Sequence, residues 1–430
     1  MINILLEAPI LTQSGYGEHS RLVYKSLSNL EGVAIYTNPL LWGQTGWLSH
    51  QIPFYEDIEK SIKNFALHEE QNKNVNSFKY DIQIHVGILN EFEKKAKKSI
   101  VVTAGIETDR VSADWLLRTH QGVDKLIVPS KHAKFGFDTT AVQISRTNGQ
   151  KDLVKCNSQV EVVPYPVKDL KSEDLDLNLK TNFNFLTVGL LGLRKNVENS
   201  ILWFVEEFKD NPDVGLIVKT SKSTGSTLDR VFTTSHLTKI LENHKDAKCK
   251  VYLLHGDLTE EQIHGLYTRK DVKGYITTTH GEGYGLPIFE AAYSGLPIVA
   301  TDWSGHLDFL QGPYKHQGKT KTKKLFLKVD YDLKDVPAAA VWKDIIVEGS
   351  QWAYPKKESF KKKIRSLYKD HGMYKKWSSQ LQEHIVDSYE ESQILNKMRV
   401  SIFGELASDL EPDNNNIEWN KKLSKIEVLQ

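Results

Sequence analysis

Short apolar runs alternate along the chain with longer stretches in which apolar residues recur at helical spacing. INILLEAP reads as a strand, and SRLVYKSLSNL as a helix entered through a glycine-rich turn. SIVVTAGI, DKLIVPS and VEVVPYPV are further strand candidates with helix-like segments between several of them. Lys168 to Asn184 is polar, with an acidic run at Glu173, Asp174 and Asp176, and reads as a linker. The alternation then restarts. NFLTVGLLG, VGLIVKT, CKVYLLHG, GYITTTHG and GLPIVAT read as strands, NSILWFVEEFKD and EEQIHGLYTRK as helices, and another helix carries Glu290. Such a pattern predicts parallel sheets covered by helices on both faces, an α/β fold of two doubly wound Rossmann-like domains. The domains are expected at 1–170 and 183–370, joined by a linker over 171–182. C-terminal helices follow over 371–404, a crossing back to the first domain being one arrangement of them, and then a loosely held tail over 405–430.

Composition adds bounds. A chain of 430 residues exceeds a typical single core and fits two domains. At 40% hydrophobic and 26% charged it has the make-up of a globular protein, and a net charge of +1 gives no global pull towards polyanions. The two cysteines, Cys156 and Cys249, form no ligand cluster; reduced thiols and a cytoplasmic location are the expectation. MINILLEAPI lacks a basic leader and reads as a buried strand rather than a signal peptide. No run approaches the ~20 apolar residues of a membrane helix, which leaves peripheral membrane contact as the only kind open.

The chemistry concentrates in HGEGYGLPIFEAAYSGLPIVAT, His280 to Thr301. Gly281, Gly283 and Gly285 permit positive φ and close approach of a ligand. Pro287 suits a helix start, and the free N–H groups of a helix end favour phosphate. Glu282 lies in the turn and Glu290 early in the helix, and a carboxylate accepts two hydrogen bonds from vicinal hydroxyls. A strand–turn–helix with two solvated glutamates is the alternative.

GEGYGLPIFEAAYSGLPIVATDWSG, Gly281 to Gly305, resembles the donor-site motif of GT-B glycosyltransferases of the retaining, family-4 (group 1) type. SGYGEHSR at Ser14–Arg21, VVPYPV at Val162–Val167, VGLLGLRKN at Val188–Asn196 and WAYP at Trp352–Pro355 are similar to other segments of that family, in the same order. The resemblance implies a cleft between the two domains. It implies that Glu290 binds the nucleotide ribose, that Glu282 contacts the transferred sugar, and that Lys195 grips the diphosphate. The family arginine five positions before that lysine is replaced by Leu190, and neighbouring Arg194 is the candidate to stand in. Gly283, Tyr284, Gly285 and Leu286 belong to the same donor motif. Gly15 and Gly17 would bring the N-terminal loop near the donor, or form an ordinary turn. Lys219 is another basic candidate, or a solvated strand end. Glu107 stands near the place where the family commonly has a histidine, as a sugar or acceptor contact. His280 faces the donor or is bonded to backbone.

The implied reaction transfers a sugar from a UDP- or GDP-sugar to a hydroxyl acceptor with retention, without a metal or other cofactor. Two D-x-D triplets, Asp174–Asp176 and Asp330–Asp332, are the only sequence hint of a metal. The acceptor is a glycan, a lipid or another molecule. Gly312–Gln380 holds 17 Lys/Arg against 7 Asp/Glu, a basic region that keeps a nucleic-acid partner open. Residues 1–170, the expected acceptor side, carry 19 basic and 19 acidic side chains, which weighs against it. Two rivals follow. One is a DNA-modifying glycosyltransferase of viral type acting on a hydroxylated base; the other is a non-catalytic nucleotide-sugar-binding protein. A sugar-nucleotide epimerase fits the family-like segments less well. A Rossmann dehydrogenase fits worse still, because GYGEHS ends in serine where the dinucleotide fingerprint needs glycine. Oligomeric state leaves no sequence signal.

Overall fold

The apolar runs become strands, and the helical spacings between them become helices. The computed structural model describes residues 1–43, 45–47, 52, 54–145, 150–316 and 318–409. The expected tail lies outside the described residues from 410 onward. Two six-stranded parallel sheets with flanking helices carry the chain. By contacts it divides into two compact units, Met1–Gly87 with Phe92–Val102 and Leu395–Gln430, and Ile88–Glu91 with Thr103–Ile394.

The first unit contains β1 (Ile2–Ala8), α1 (Gly15–Leu27), β2 (Val33–Pro39), α2 (Tyr55–Gln71), β3 (Tyr80–Val86) and β4 (Ala96–Val102). Its strands run parallel in the order β2-β1-β3-β4. Helix α1 starts earlier than its apolar spacing predicts. Ser14 caps it by accepting the Gly17 N–H at 3.0 Å, so the glycines form the first turn of the helix. A Cβ on Gly17 would overlap the Thr12 carbonyl oxygen, which requires glycine there.

The second unit opens with α3 (Ala113–Thr119), β5 (Lys125–Val128), α4 (Lys131–Thr139), the β6 (Ala141–Ser145)–β7 (Lys151–Lys155) hairpin, and β8 (Gln159–Val162), which pairs with β5. An irregular stretch leads to β9 (Phe183–Val188), α5 (Val197–Phe208), β10 (Val214–Lys219), α6 (Thr227–Ile240), β11 (Lys250–Leu254), α7 (Glu260–Thr268), β12 (Val272–Ile276), α8 (Leu286–Tyr293) and β13 (Ile298–Thr301). A lysine-rich antiparallel ribbon follows, β14 (Gln311–His316) with β15 (Lys319–Lys324), and then β16 (Leu327–Val329). A second antiparallel hairpin, β17 (Tyr331–Asp335) with β18 (Gln351–Pro355), precedes α9 (Lys357–Lys369) and α10 (His371–Ser388); α11 (Glu391–Phe403) begins in this unit and from Leu395 onward belongs to the first.

The large sheet of this unit has the order β11-β10-β9-β12-β13-β16. Phe185, Leu216 and Ile276 from its strands meet Ile201, Phe204 and Val205 of α5, and Phe360, Ile364 and Leu367 of α9, all essentially buried. These two helices therefore fix the height of the strand ends. The insertion between β17 and β18 is tied to residues preceding α3: the Gln351 N–H donates to Asp109 Oδ1 at 2.7 Å, and the Ser112 hydroxyl donates to the Asp344 carbonyl at 2.7 Å.

Candidate functional site

The strand order places the chemistry. From β9 the chain moves outward to β10 and β11 on one side; β12, on the other side of β9, continues to β13. The direction of winding reverses between β9 and β12. In open α/β sheets ligands bind outside the carboxyl ends of the strands at such a reversal. The loops leaving those two ends are residues 189–196 and 277–285. The first supplies Arg194 and Lys195, the second Glu282.

These three side chains meet. The Lys195 ammonium lies 2.8 Å from both carboxylate oxygens of Glu282. Arg194 Nη1 donates to Glu282 Oε2 at 3.0 Å and to the Gly281 carbonyl at 2.7 Å, and its Nη2 lies 3.2 Å from Glu107 Oε1. The Thr279 hydroxyl donates to Glu282 Oε1 at 2.9 Å. Glu282 is 5% exposed, whereas the side chains of Arg194, Lys195 and Glu107 are about a quarter exposed, so a buried carboxylate is held by cations that reach the surface. Burial opposes ionisation of Glu282, yet the Lys195 and Arg194 charges and the Lys195 and Thr279 hydrogen bonds bring its pKa down to about 2. Burial pulls the Lys195 pKa down, with Glu282 opposing and Arg194 assisting. Arg194, although its half-buried setting pulls the other way, is held above its ordinary value by Glu107 and Glu282.

Local backbone geometry explains why the loops fold this way. Asn196 adopts a left-handed conformation, φ 52°, just before α5. Its amide donates to the Thr278 carbonyl at 2.9 Å, and Thr278 Oγ1 returns a bond to the Asn196 carbonyl at 2.7 Å. The two loops are thus locked edge to edge. Of the three glycines in the turn only Gly285 has positive φ, 96°. Gly281 and Gly283 instead serve close packing. A Cβ on Gly281 would overlap the Glu107 carbonyl oxygen, and one on Gly283 would lie 2.5 Å from that of Ala104. The Ser130 hydroxyl donates to the Gly283 carbonyl at 2.6 Å. The segment 104–107 is therefore laid directly on the turn, which brings Glu107 to Arg194.

Helix α8 begins at Leu286, with Pro287 in its first turn and Gly285 before it. Pro287 has no N–H, and the Ile288 and Phe289 N–H groups both bond the Gly285 carbonyl. This helix end keeps fewer N–H groups for an anion than its position implies, so the cationic pair is the stronger anion-binding feature. Glu290, half-buried in α8, accepts from the Tyr267 hydroxyl at 3.0 Å. Tyr284 is buried in an aromatic cluster with Tyr165, Phe289 and Phe309. His280 is anchored by its Nδ1 to the Ala353 carbonyl at 2.8 Å and stacks on Trp352, and burial lowers its pKa. Lys219, at the end of β10, donates to the Gly256 carbonyl at 2.6 Å; burial lowers its pKa as well. Gly15 and Gly17 belong to the other unit.

A groove of about 810 Å³ is bounded by Leu193, Asn196, Phe232, His280, Trp352 and Tyr354 among others; of the predicted site residues only His280 lines it. Among the described residues, no group of three or more His, Cys, Asp or Glu side chains could hold a metal ion. Asp332 pairs with Lys356 at 2.8 Å, and Asp330 accepts from the Ser359 hydroxyl at 2.9 Å. Neither cysteine is in a disulfide. No helix among the described residues is long and apolar enough to cross a membrane.

Sequence reading missed Thr279, Ser304 and His306. Ser304 and His306 lie in DWSGHLD, just beyond β13, and touch or flank Glu282 only through folding. The one signal available was the glycine in that segment.

Two doubly wound parallel sheets, with this charged site at a switch point of one, make a fold of the GT-B class. Solved structures agree. A sucrose-phosphate synthase from Thermosynechococcus elongatus has a TM-score of 0.58 at 12% identity, covering 93% of this chain and 97% of that one. The Escherichia coli trehalose-6-phosphate protein bound with UDP-2-fluoro glucose has a TM-score of 0.56 at 9% identity, covering 93% and 98%. Anabaena HepE in complex with UDP and glucose has a TM-score of 0.55 at 12% identity, also covering 93% and 98%. In sequence, the chain is 26% identical over 119 residues to the serotype-specific mannosyltransferase WbdA of Escherichia coli, a match spanning 28% of this chain and 13% of that relative. No family model matches the chain.

Proposed function

We propose that the chain is a glycosyltransferase that moves a sugar from a nucleotide-diphosphate donor to a hydroxyl acceptor with retention of configuration. The observation that carries this reading is the Arg194–Lys195–Glu282 cluster at the β9–β12 switch point, with Glu290 on the helix that follows. The UDP complexes of two fold neighbours support a UDP-sugar donor, with a GDP-sugar as the alternative.

In this reading the diphosphate takes the cations. A lysine ammonium has three donors. Glu282 occupies two of those of Lys195, and the third serves a phosphate oxygen. Arg194 contributes the fixed guanidinium plane that suits a phosphate. As the bond from the anomeric carbon to the diphosphate oxygen breaks, charge grows on the leaving group, and these cations stabilise it. The acceptor oxygen bonds the same face of the anomeric carbon and passes its proton to the departing phosphate. Glu282 is not the nucleophile here, and with each oxygen already accepting two hydrogen bonds from Lys195, Arg194 and Thr279 it does not take the sugar hydroxyls either; it orients the cations. Glu290 takes the ribose hydroxyls. Glu107, through Arg194, sets the sugar side of the site. No metal is required in this scheme.

Thermal unfolding with a panel of UDP- and GDP-sugars tests the donor. A ligand at 100 times its Kd stabilises by about 2.7 kcal/mol. Hydrolysis of the stabilising donor without acceptor separates an enzyme from a non-catalytic binding protein. Absence of stabilisation by every nucleotide sugar defeats the proposal.

A polyanionic acceptor such as DNA is a second reading, supported by the β14–β15 ribbon. Lys319, Lys321 and Lys323 share one face by strand alternation, and the Lys323 ammonium lies 3.4 Å from the centre of the Trp377 ring and 4.5 Å from that of Tyr314. Transfer to DNA that falls steeply between low and moderate salt would support it, and salt-insensitive transfer would oppose it.

A further inference from the structure

Ser304 stands in a backbone conformation that residues with side chains avoid. Its φ of 86° and ψ of −165° lie in a region essentially confined to glycine. The hydroxyl shows what this residue does there: Ser304 Oγ accepts the Glu282 N–H at 2.9 Å. The next N–H, that of Gly305, donates to the Glu282 carbonyl at 2.9 Å. Both peptide groups of Glu282 are thus clasped by the segment after β13. Gly305 has to be glycine, because a Cβ would overlap the Gly283 carbonyl oxygen.

His306 orients the clasp. Its Nε2 lies 2.7 Å from the Thr301 carbonyl, which can only accept, so Nε2 carries the hydrogen. Burial lowers the pKa of this ring, so at neutral pH Nδ1 presents a lone pair. That lone pair is 3.4 Å from Ser304 Oγ, a long contact that draws the hydroxyl proton towards the ring. The Ser304 lone pair is then left for the Glu282 N–H.

We propose that Ser304 is a positioning residue for Glu282. It holds a glycine-type backbone so that its hydroxyl, oriented by His306, fixes the turn that presents the carboxylate to Lys195 and Arg194. The effect on turnover rests on the glycosyltransferase reading; the effect on the turn rests on geometry alone.

Two variants of the full chain test this. Ser304→Gly removes the hydroxyl and relieves the strain, whereas Ser304→Ala removes the hydroxyl and keeps the strain. A merely structural Ser304 predicts a glycine variant at least as good as the parent in every respect. Positioning predicts that amide hydrogen exchange in the peptide spanning 281–285 speeds up at least tenfold in Ser304→Gly while its unfolding temperature holds or rises. With a donor that the parent turns over, kcat falls at least tenfold and the donor KM stays within threefold. Unchanged exchange at 281–285, or parental kcat in Ser304→Gly, overturns the proposal. Should Ser304→Ala fail to fold, the glycine variant decides. Should the parent turn over no nucleotide sugar, the glycosyltransferase reading fails, and exchange still decides the role of Ser304.

Discussion

Lys195 sets its ammonium nitrogen 2.8 Å from each carboxylate oxygen of Glu282, across the gap between the ends of two neighbouring parallel strands. Each partner is the reason the other is tolerated there, since an unpaired buried charge is costly. Replacing Glu282 by Gln leaves two cations facing each other in a poorly solvated site. We expect a loss of about 3 kcal/mol on the scale of broken buried pairs, read by denaturant unfolding. Replacing Lys195 by Met as well should recover part of that loss, and a strictly additive double variant would contradict the pairing.

Glu290 and Glu282 separate by kinetics. Glu290→Ala is expected to raise the donor Kd at least tenfold, about 1.4 kcal/mol, in a calorimetric titration. Glu282→Ala should mainly lower kcat. Unchanged donor affinity in Glu290→Ala counts against its assignment to the ribose. Tyr267→Phe removes the hydroxyl that holds Glu290 and should weaken donor binding in the same direction, by less.

Acid should destabilise the protein in two stages. His132 is half-buried and its pKa is pulled from 6.5 to about 4, chiefly by desolvation of the ring. Between those values the unfolded chain binds the proton and the folded one does not, so the stability is complete above pH 6.5 and lost as pH falls towards 4. Glu282, lowered from 4.5 to about 2, contributes stability that is complete above 4.5 and lost as pH falls through 2. Each of these groups is worth on the order of 3 kcal/mol. A stability profile flat from pH 7 to pH 4 would contradict this picture, and His132→Gln should shrink the upper stage without abolishing it, because buried His19, its pKa lowered from 6.5 to about 3 chiefly by burial, titrates in the same window.

Gly281→Ala and Gly305→Ala each place a methyl group onto a carbonyl oxygen of a neighbouring segment. Both are expected to destabilise by about 1–3 kcal/mol, the cost of overpacking, and to lower the unfolding temperature. Gly15→Ala, where a Cβ meets nothing within 4 Å, is the control and should stay near the parent. Equal effects at all three positions would show that the close approach at Gly281 and Gly305 is not what requires glycine.

The strand ladder was legible because parallel strands buried on both faces read as near-continuous apolar runs. INILLEA and VGLIVK appear as β1 and β10 within a residue of their expected places, whereas β9 starts one residue before NFLTVGLLG and stops four residues short of its end, where the loop to Arg194 and Lys195 begins. The lysine ribbon was not legible as two strands, because KTKTKK has no apolar face to give a period. Lys323 meets Tyr314 only through the pairing of β14 with β15, and Trp377 only once α10 packs beside the ribbon.

By itself the sequence determined the alternation of strand and helix, the restart after the linker, and the glycine turn flanked by two glutamates, because each of these is a local property of spacing and side-chain chemistry. Tertiary structure alone decided that Lys195 and Arg194 face Glu282, that Glu107 joins them, and that Ser304 and His306 hold the turn. Those partners lie about 20 to 90 residues apart in the chain. They meet because the order of strands in a sheet, which no local pattern encodes, puts the ends of β9 and β12 side by side.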